Sequence, residues 1–453
     1  MSIEAAKACI RHAQLDLDQA LVELDALEPQ PEPPPIVHTP EAFDAALAAA
    51  VPGDVIVCAV TLVYPTALTI TTPGIQIRSE LAPAGRMTAT EPAPSFRDKI
   101  IVQAPDVTLF GLEITHGKWT EIVQLAGANP VVDRCRILGD PTTGARRGIA
   151  ANASNMRITR NYISDCKGPY PGDDTQAICG WNTPGPVLIE DNYLCGASEV
   201  IMFGGADPSS ETNVPSDITI RRNVITKRLE WQQQAVQVKN LLELKNARRV
   251  LIELNELSNV WGGKGQDGFA FVFTPRNQSG TAPYSTVEDV EVRNNHIRCA
   301  SGGVSILGTD NNAPSGRLSR VVIHHNTFDE LDPVRFTGTK KMIQIQAGPV
   351  DVTFDANEWR GQNLTANVYF SGSPKSVEFD VINNVWMHTT YGIFGSGSST
   401  GNDPATGLPR AWVQYVESGT LSNNTEWPIV LSTAAWLREK WLRFLVHFGY
   451  ADV

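Results

Sequence analysis

The chain has 453 residues, 42% hydrophobic and 19% charged, which is enough apolar material for a long packed core and too little charge for a disordered polymer. Its formal net charge of -12 repels nucleic acid and anionic membranes, so neither is expected as a partner, whereas a neutral or weakly charged glycan is accommodated. Seven cysteines (Cys9, Cys58, Cys135, Cys166, Cys179, Cys195 and Cys299) show no metal-ligand spacing and an odd count, which excludes an obvious disulfide framework and gives no reason to expect a metal or other cofactor.

Residues 3 to 27 place Ile3, Ala6, Ile10, Ala13, Ala20, Leu24 and Leu27 on heptad-compatible positions. They predict an N-terminal helix that self-associates, with packing along the rest of the molecule as the alternative. Glu28-Pro29-Gln30-Pro31-Glu32-Pro33-Pro34-Pro35 cannot hold a helix, so residues 28 to 37 are expected to form an extended spacer. Thr39 before Pro40 and Glu41 has the chemistry of an N-cap followed by proline at the first helical position. A capping helix is therefore expected within residues 38 to 51. The first residues, Met1-Ser2-Ile3-Glu4-Ala5-Ala6-Lys7, lack the apolar stretch of an export signal, and synthesis and folding in a reducing cytoplasm are expected.

From residue 52 to 427 one phrase recurs: Asn161-Tyr162-Ile163, Asn192-Tyr193-Leu194, Asn223-Val224-Ile225, Asn255-Glu256-Leu257, Asn295-His296-Ile297, Asn326-Thr327-Phe328, Asn357-Glu358-Trp359 and Asn384-Val385-Trp386. The spacings are 31, 31, 32, 40, 31, 31 and 27 residues, and a sustained period of this size marks stacked copies of one supersecondary unit. Before each asparagine, β-branched residues alternate with polar ones, as in Val187 and Ile189 or Ile218 and Ile220. A second apolar run follows, as in Val200-Ile201-Met202 or Ala270-Phe271-Val272. Two short strands per turn leave no room for crossover helices, and the expected fold is an all-β parallel β-helix solenoid. Like residues would stack about 4.8 Å apart, with the asparagines forming an inward amide ladder of structural purpose. Leu112 and Cys135 occupy the asparagine slot in earlier turns, and Asn423-Asn424 closes the series. Roughly ten or eleven turns make a rod on the order of 50 Å long.

Insertions between strands are the expected working surface. They fall at residues 167 to 175, 204 to 217, 226 to 237, 259 to 267, 274 to 286, 309 to 317 and 395 to 410. In these turns Trp181, Trp231, Trp261 and Tyr284 are candidate glycan-stacking residues; the alternative is that they pin their own loops. Catalysis needs paired carboxylates or a base with a neutralising cation, and the candidates are Glu199, Asp207, Glu243 and Arg276, with Asp174, Asp267, Lys239 and Lys245 near them. Aligned by eye, Gln176, Glu199 and Lys239 share one register, which an ion-paired ladder explains as well as an active site does. His324-His325 adjoin Asn326, and one buried and one exposed imidazole are expected there without a metal. Past residue 427, Ser432 caps a predicted helix within 428 to 453 whose stripe of Leu437, Trp441, Phe444, Leu445 and Phe448 suits a cap on the last turn.

The Asn-x-apolar repeat, together with Pro52-Gly53-Asp54-Val55-Ile56 at its start, resembles the right-handed parallel β-helix superfamily that includes pectate-lyase-like enzymes and phage tailspikes. The resemblance implies a protein that cleaves, isomerises or binds polysaccharide, without choosing among these. With the leading helix, its spacer and the absent export signal, the first expectation is a phage tail-fibre or spike-like virion protein. It would be a homotrimer joined to other virion proteins through the N-terminal helix and would contact host-surface polysaccharide. The second is a bacterial polysaccharide lyase or glycoside hydrolase of the same fold.

Overall fold

A computed structural model describes residues 34–427. The expected helix over residues 3 to 27, most of the spacer over 28 to 37 and the capping helix over 428 to 453 lie outside the described residues. Within them the chain winds as a coil whose turns each give one strand to each of three all-parallel sheets, the first, second and third having 14, 13 and 12 strands. The shortest sheet sets the length at about a dozen turns, slightly more than the asparagine repeat alone implies, because the first turns carry no asparagine.

Three strands per turn, rather than the expected two, follow from where the ladder asparagine sits. It marks a corner. The strand before it, such as Val187–Glu190 or Ser216–Arg221, belongs to the first sheet, and the chain resumes at once as a strand of the second, Tyr193–Gly196 or Val224–Thr226. The apolar run that follows, Glu199–Phe203 or Asn240–Leu244, belongs to the third. At each corner the residue just before the asparagine is left-handed, including Arg160, Asp191, Arg222, Leu254, His325 and Ala356, with φ between 50° and 57°. For Leu254 and Ala356 that conformation costs about 1 kcal/mol or more, and something must offset it.

The ladder supplies the offset. Asn223 Oδ1 accepts from the Asn192 backbone N–H at 3.0 Å and from Asn192 Nδ2 at 2.9 Å, while Asn223 Nδ2 donates to Asn255 Oδ1 and to the Ile189 carbonyl. The pattern repeats from Asn161 to Asn384, whose amide donates to Asn424 Oδ1 at 3.0 Å. At the other end the Cys135 backbone N–H donates to Asn161 Oδ1 at 2.8 Å, so Cys135 holds the slot assigned to it from sequence. Every corner thus closes buried backbone groups that would otherwise be orphaned.

Inside the coil, aliphatic and aromatic columns run from turn to turn. Ile189, Ile220, Ile252, Val292, Ile323 and Phe354 are in register on the first sheet, and Leu194, Ile225, Leu257, Ile297, Phe328 and Trp359 on the second; all are fully buried. Phe328 and Trp359 stack with centroids 3.8 Å apart and planes 6° from parallel. Gly303 makes room for them: a Cβ there would lie 2.4 Å from Trp359 Cζ3. Gly303→Ala is expected to cost about 1–3 kcal/mol by overpacking, read as a lowered midpoint in thermal denaturation. No change would mean that the tryptophan has another place to go.

The helix Pro40–Ala49 lies at the start of the coil, with the Thr39 side chain accepting from the Ala42 N–H at 3.2 Å. It buries Phe43 against Tyr64 and Phe96, at centroid distances of 4.8 and 5.4 Å. Outside, the first sheet carries charges that alternate in sign along one column, Glu190, Arg221, Glu253 and Arg293. His324 continues that column, partly exposed, with Nε2 3.0 Å from Glu291; it is not the buried imidazole expected from sequence. Ile323 already fills the core position, and the left-handed His325 turns the corner into solvent.

The third sheet differs from the other two. Every residue of Gln176–Gly180, Glu199–Phe203, Asn240–Leu244, Phe269–Phe273 and Gly302–Leu307 is buried, on the outer face as well as the inner. The insertions account for this, since residues 167–175, 227–239 and 261–268 enter these strands and 204–215, 274–286 and 308–318 leave them. Two rows of loops therefore wall the outer face of one sheet.

Candidate functional site

Between those walls lies a floor of charged and amide side chains. Arg147, Gln176, Glu199 and Asn240 stand in one register column, and Cys179, Met202 and Glu243 in the next. Asn240, not Lys239, is the partner of Glu199, one residue off the alignment made from sequence, because Lys239 precedes the strand. From that edge Lys239 still reaches back: its ammonium lies 2.5 Å from Asp174 Oδ1 and 3.4 Å from Glu199 Oε1. Gln176 Nε2 joins the same two carboxylates, at 3.2 Å from Asp174 and 2.8 Å from Glu199. On the following turn Asn240 Nδ2 donates to Glu243 at 2.9 Å, and Lys245 lies 3.5 Å from that carboxylate. Upstream, Arg147 pairs with Glu121 at 2.7 Å and sits 5.0 Å over the Trp181 ring.

Burying charge beside an apolar core is expensive unless it is paired, so this concentration is the least expected feature of the sheet. It also separates the two carboxylates electrically. Glu199 is fully buried, and burial, with Asp174 and Glu243 adding to it, pushes its carboxyl up to about 7. For Asp174 burial acts upward too, but the charge and hydrogen bond of Lys239 outweigh it and hold the group below its usual value. Asp174 keeps 40% of its side chain exposed, whereas Glu199 has none. A bound molecule would touch Asp174 and Lys239, with Glu199 as a proton-holding group behind them. Paired carboxyls whose environments drive them apart are the usual arrangement for acid and base roles.

Beneath the floor, Lys227 is wholly buried and donates to the carbonyls of Gly196, Ala197 and Ser198 at 3.1, 2.7 and 2.9 Å. Burial lowers its pKa to about 7, with Glu199 acting in the opposite direction. These two groups have opposite consequences for stability. Folded Glu199 holds a proton that the unfolded chain has already released, so its contribution is present in acid and is lost as pH rises to about 7. Lys227 loses its proton in the folded chain first, so its contribution grows as pH rises above about 7. Glu199→Gln is expected to gain stability relative to the parent between about pH 5 and about pH 8, measured by urea denaturation at both. A difference independent of pH would show that Glu199 is already ionised in acid.

The other candidates lie elsewhere. Asp207 accepts from the Ser279 and Thr281 backbone N–H groups at 3.0 and 3.1 Å and from the Thr281 hydroxyl at 2.7 Å, and Tyr284 donates its hydroxyl to the Pro208 carbonyl at 2.8 Å. Both join the 204–217 and 274–286 loops. Arg276 pairs with Asp310 at 2.5 Å and donates to Asn311, tying that wall to the next insertion. Trp231 and Trp261 pack in a satellite cluster with Cys195, Ala197, Val236, Val238 and Phe336, at 2% and 7% exposure. Trp181 remains half-buried beside Arg147. Of the carboxylates singled out, Glu199 and Glu243 thus share the floor; Asp207 does not. Lys227 and Arg147 had no signal in the sequence, since a lone cation at a strand end normally faces water.

Among the described residues, no group of three His, Cys, Asp or Glu side chains is placed to hold a metal ion, and no helix is long and apolar enough to cross a membrane.

No family model and no curated protein matches the chain in sequence. Solved structures do match in shape. The catalytic unit of a thermostable GH87 α-1,3-glucanase from Streptomyces thermodiastaticus strain HF3-3 superposes with a TM-score of 0.52 and 14% identity, over 86% of this chain and 67% of that one. The fold is the right-handed parallel β-helix. The Dettilon tailspike protein is similar at a TM-score of 0.48 and 16% identity, over 79% of this chain and 62% of its own, so the chain spans less than two thirds of that protein. A PL6-family polysaccharide lyase from Pseudopedobacter saltans gives 0.49 and 10%, over 89% and 95%.

Proposed function

We propose that the chain is a polysaccharide-engaging β-helix of the virion tail-fibre or spike type, which lays a host-surface glycan along the outer face of its third sheet. The observation that carries the reading is the walled floor: one long face, bounded on both edges by insertions, where the partly exposed Asp174 and Lys239 sit over a buried, hydrogen-bonded layer of Gln176, Glu199, Asn240 and Glu243. Repeated hydroxyls along an extended chain need such a row of amides and paired charges. The virion half of the reading is supported by the heptad-compatible stripe over residues 3 to 27 and the proline-rich spacer after it. We expect a trimer in analytical ultracentrifugation at micromolar concentration that falls to a monomer when residues 1 to 35 are deleted. A monomer in both cases would end the spike interpretation.

A second reading, a glycoside hydrolase or lyase, is favoured by one observation, the divergence between ionised Asp174 and proton-holding Glu199. Incubation with capsular and cell-wall polysaccharides decides between the two, by appearance of new reducing ends or unsaturated products. If cleavage is seen, Asp174→Asn is expected to slow it about 100-fold or more, the usual contribution of a positioned acid or base. Binding without products leaves the first reading.

A further inference from the structure

Four rungs along the third sheet from Glu199, about 19 Å away, the outer face changes character. Arg147, Lys239, Lys245 and Arg276 each have a carboxylate partner. Lys341 forms no ion pair among the described residues. Its ammonium donates instead to Gln344 Oε1 at 2.5 Å and lies 4.1 Å from the centroid of the Tyr369 ring. Gln344 and Tyr369 are register partners on adjacent rungs, and the column continues to Ser305 on one side and Phe394 on the other. Gln344 Nε2 reaches Ser305 Oγ at 3.3 Å, and Tyr369 and Phe394 lie 5.1 Å apart. Tyr391, 48% exposed, packs on Phe394 at 5.1 Å. The strand Lys341–Gln346 holds the ammonium at the mouth of this group and the amide beneath it.

Each part of this arrangement suits one part of an acidic sugar. Half-exposed rings offer flat apolar faces for the C–H face of a pyranose. Gln344 and Ser305, both buried, bond each other beneath the ammonium and hold it in place. Lys341 is a partly buried cation whose neighbours are an amide and a ring, so an incoming carboxylate would replace nothing and would gain a charge-assisted bond. Burial lowers the pKa of Lys341 and the charge of Asp267 opposes it, the balance of a partly buried cation with no carboxylate in contact.

We propose that Lys341, Tyr369 and Tyr391, with Gln344 holding the ammonium from beneath, form a subsite for a carboxylated pyranose, such as a uronic acid residue, within the same glycan that meets the Asp174 and Lys239 floor. The inference rests on the polysaccharide reading above and narrows it to chains in which acidic sugars are separated by neutral ones. A uniformly acidic polymer would meet the -12 charge of the protein with only Lys341, a cation that has no carboxylate in contact, to receive it. A widely spaced carboxylate meets Lys341 alone.

The test uses the full chain and a panel of glucuronate-containing bacterial capsular polysaccharides, each paired with its carboxyl-reduced neutral form, with binding measured by calorimetry. At least one acidic member is expected to bind about tenfold tighter than its reduced form, the discrimination one charge-assisted hydrogen bond supplies. Lys341→Met is expected to abolish that preference, bringing the acidic form to the affinity of its reduced partner, Lys341→Arg to keep it, and Tyr369→Ala to weaken both forms. Equal affinity for acidic and reduced forms, or a preference that survives Lys341→Met, overturns the subsite and leaves the polysaccharide reading standing. Absence of binding to any member, acidic or reduced, removes that reading and the subsite with it.

Discussion

Asn255→Ala is expected to destabilise the coil by about 3–5 kcal/mol, from buried groups that lose their partners at roughly 1–3 kcal/mol each. Asn255 Oδ1 accepts from the Asn223 backbone N–H at 2.9 Å and from Asn223 Nδ2 at 3.0 Å, and its own Nδ2 donates to the Ile220 carbonyl and to Asn295 Oδ1, both at 2.9 Å. Alanine orphans the Asn223 N–H and the Ile220 carbonyl outright, and both are far from water. It also removes what holds Leu254 at a φ of 56°. Asn255→Asp should be worse still, because a carboxylate keeps the acceptor but turns two donor contacts into facing oxygens. Equilibrium denaturation of the two variants checks both the size and the order. A loss below 1 kcal/mol for alanine would mean that the rungs are held by the columns of Ile252 and Leu257 alone.

The chain itself shows where the rule relaxes. In the Cys135 slot the thiol sits 3.5 Å from the Leu109 and Asp133 carbonyls and replaces the amide as a weak donor. Cys135 starts the ladder, so no earlier asparagine needs it as an acceptor. Asn255, with neighbours on both sides, has no such freedom.

This same regularity made the solenoid legible in the sequence. An asparagine repeated at nearly constant spacing has one physical use, and its phase fixed the core columns and the place of Cys135 and Asn424. The third strand of each turn was hidden because residues such as Tyr193 to Gly196 follow the asparagine without a break, and the left-handed corner falls on Asp191, Asn294 and Asn383 but as often on arginine, leucine, histidine or alanine, which do not advertise it. The floor was legible only in part. Glu199 and Glu243 announce themselves as charges inside strands, but a one-residue shift separates Lys239 from its assigned register, and registers read by eye are no finer than that. Loop aromatics were the least legible: Trp231 in a satellite core and Trp181 beside Arg147 look alike in sequence, since ring burial depends on what the neighbouring loop brings to it.

Lys227→Met is expected to cost about 3–5 kcal/mol and to loosen the floor itself. The methionine would keep most of the apolar stem and its packing, so the loss isolates the ammonium. That group is the shared partner of three consecutive carbonyls, those of Gly196, Ala197 and Ser198, which lead directly into Glu199. Lys227 also begins the insertion that ends at Lys239, and the chain between them is tied back by Arg228 to Asp165 at 2.6 Å, by the buried Trp231 and by Ser198 Oγ to the Gln237 carbonyl at 3.4 Å. Without the ammonium, the Gly196 and Ala197 carbonyls lose this donor, whereas that of Ser198 keeps the Lys239 and Asn240 N–H groups at 3.1 and 3.0 Å, so the stretch leading into Glu199 loses part of the frame that positions Lys239 beside Asp174. Hydrogen exchange should therefore accelerate over residues 228 to 238 well beyond what the global loss explains, while residues of the Asn255 corner follow global unfolding. Uniform acceleration across both regions would make Lys227 a general core contact. A confined effect identifies it as the support that sets the position of Lys239 over the two carboxylates, which is how a buried cation with no exposure of its own can govern what the outer face binds.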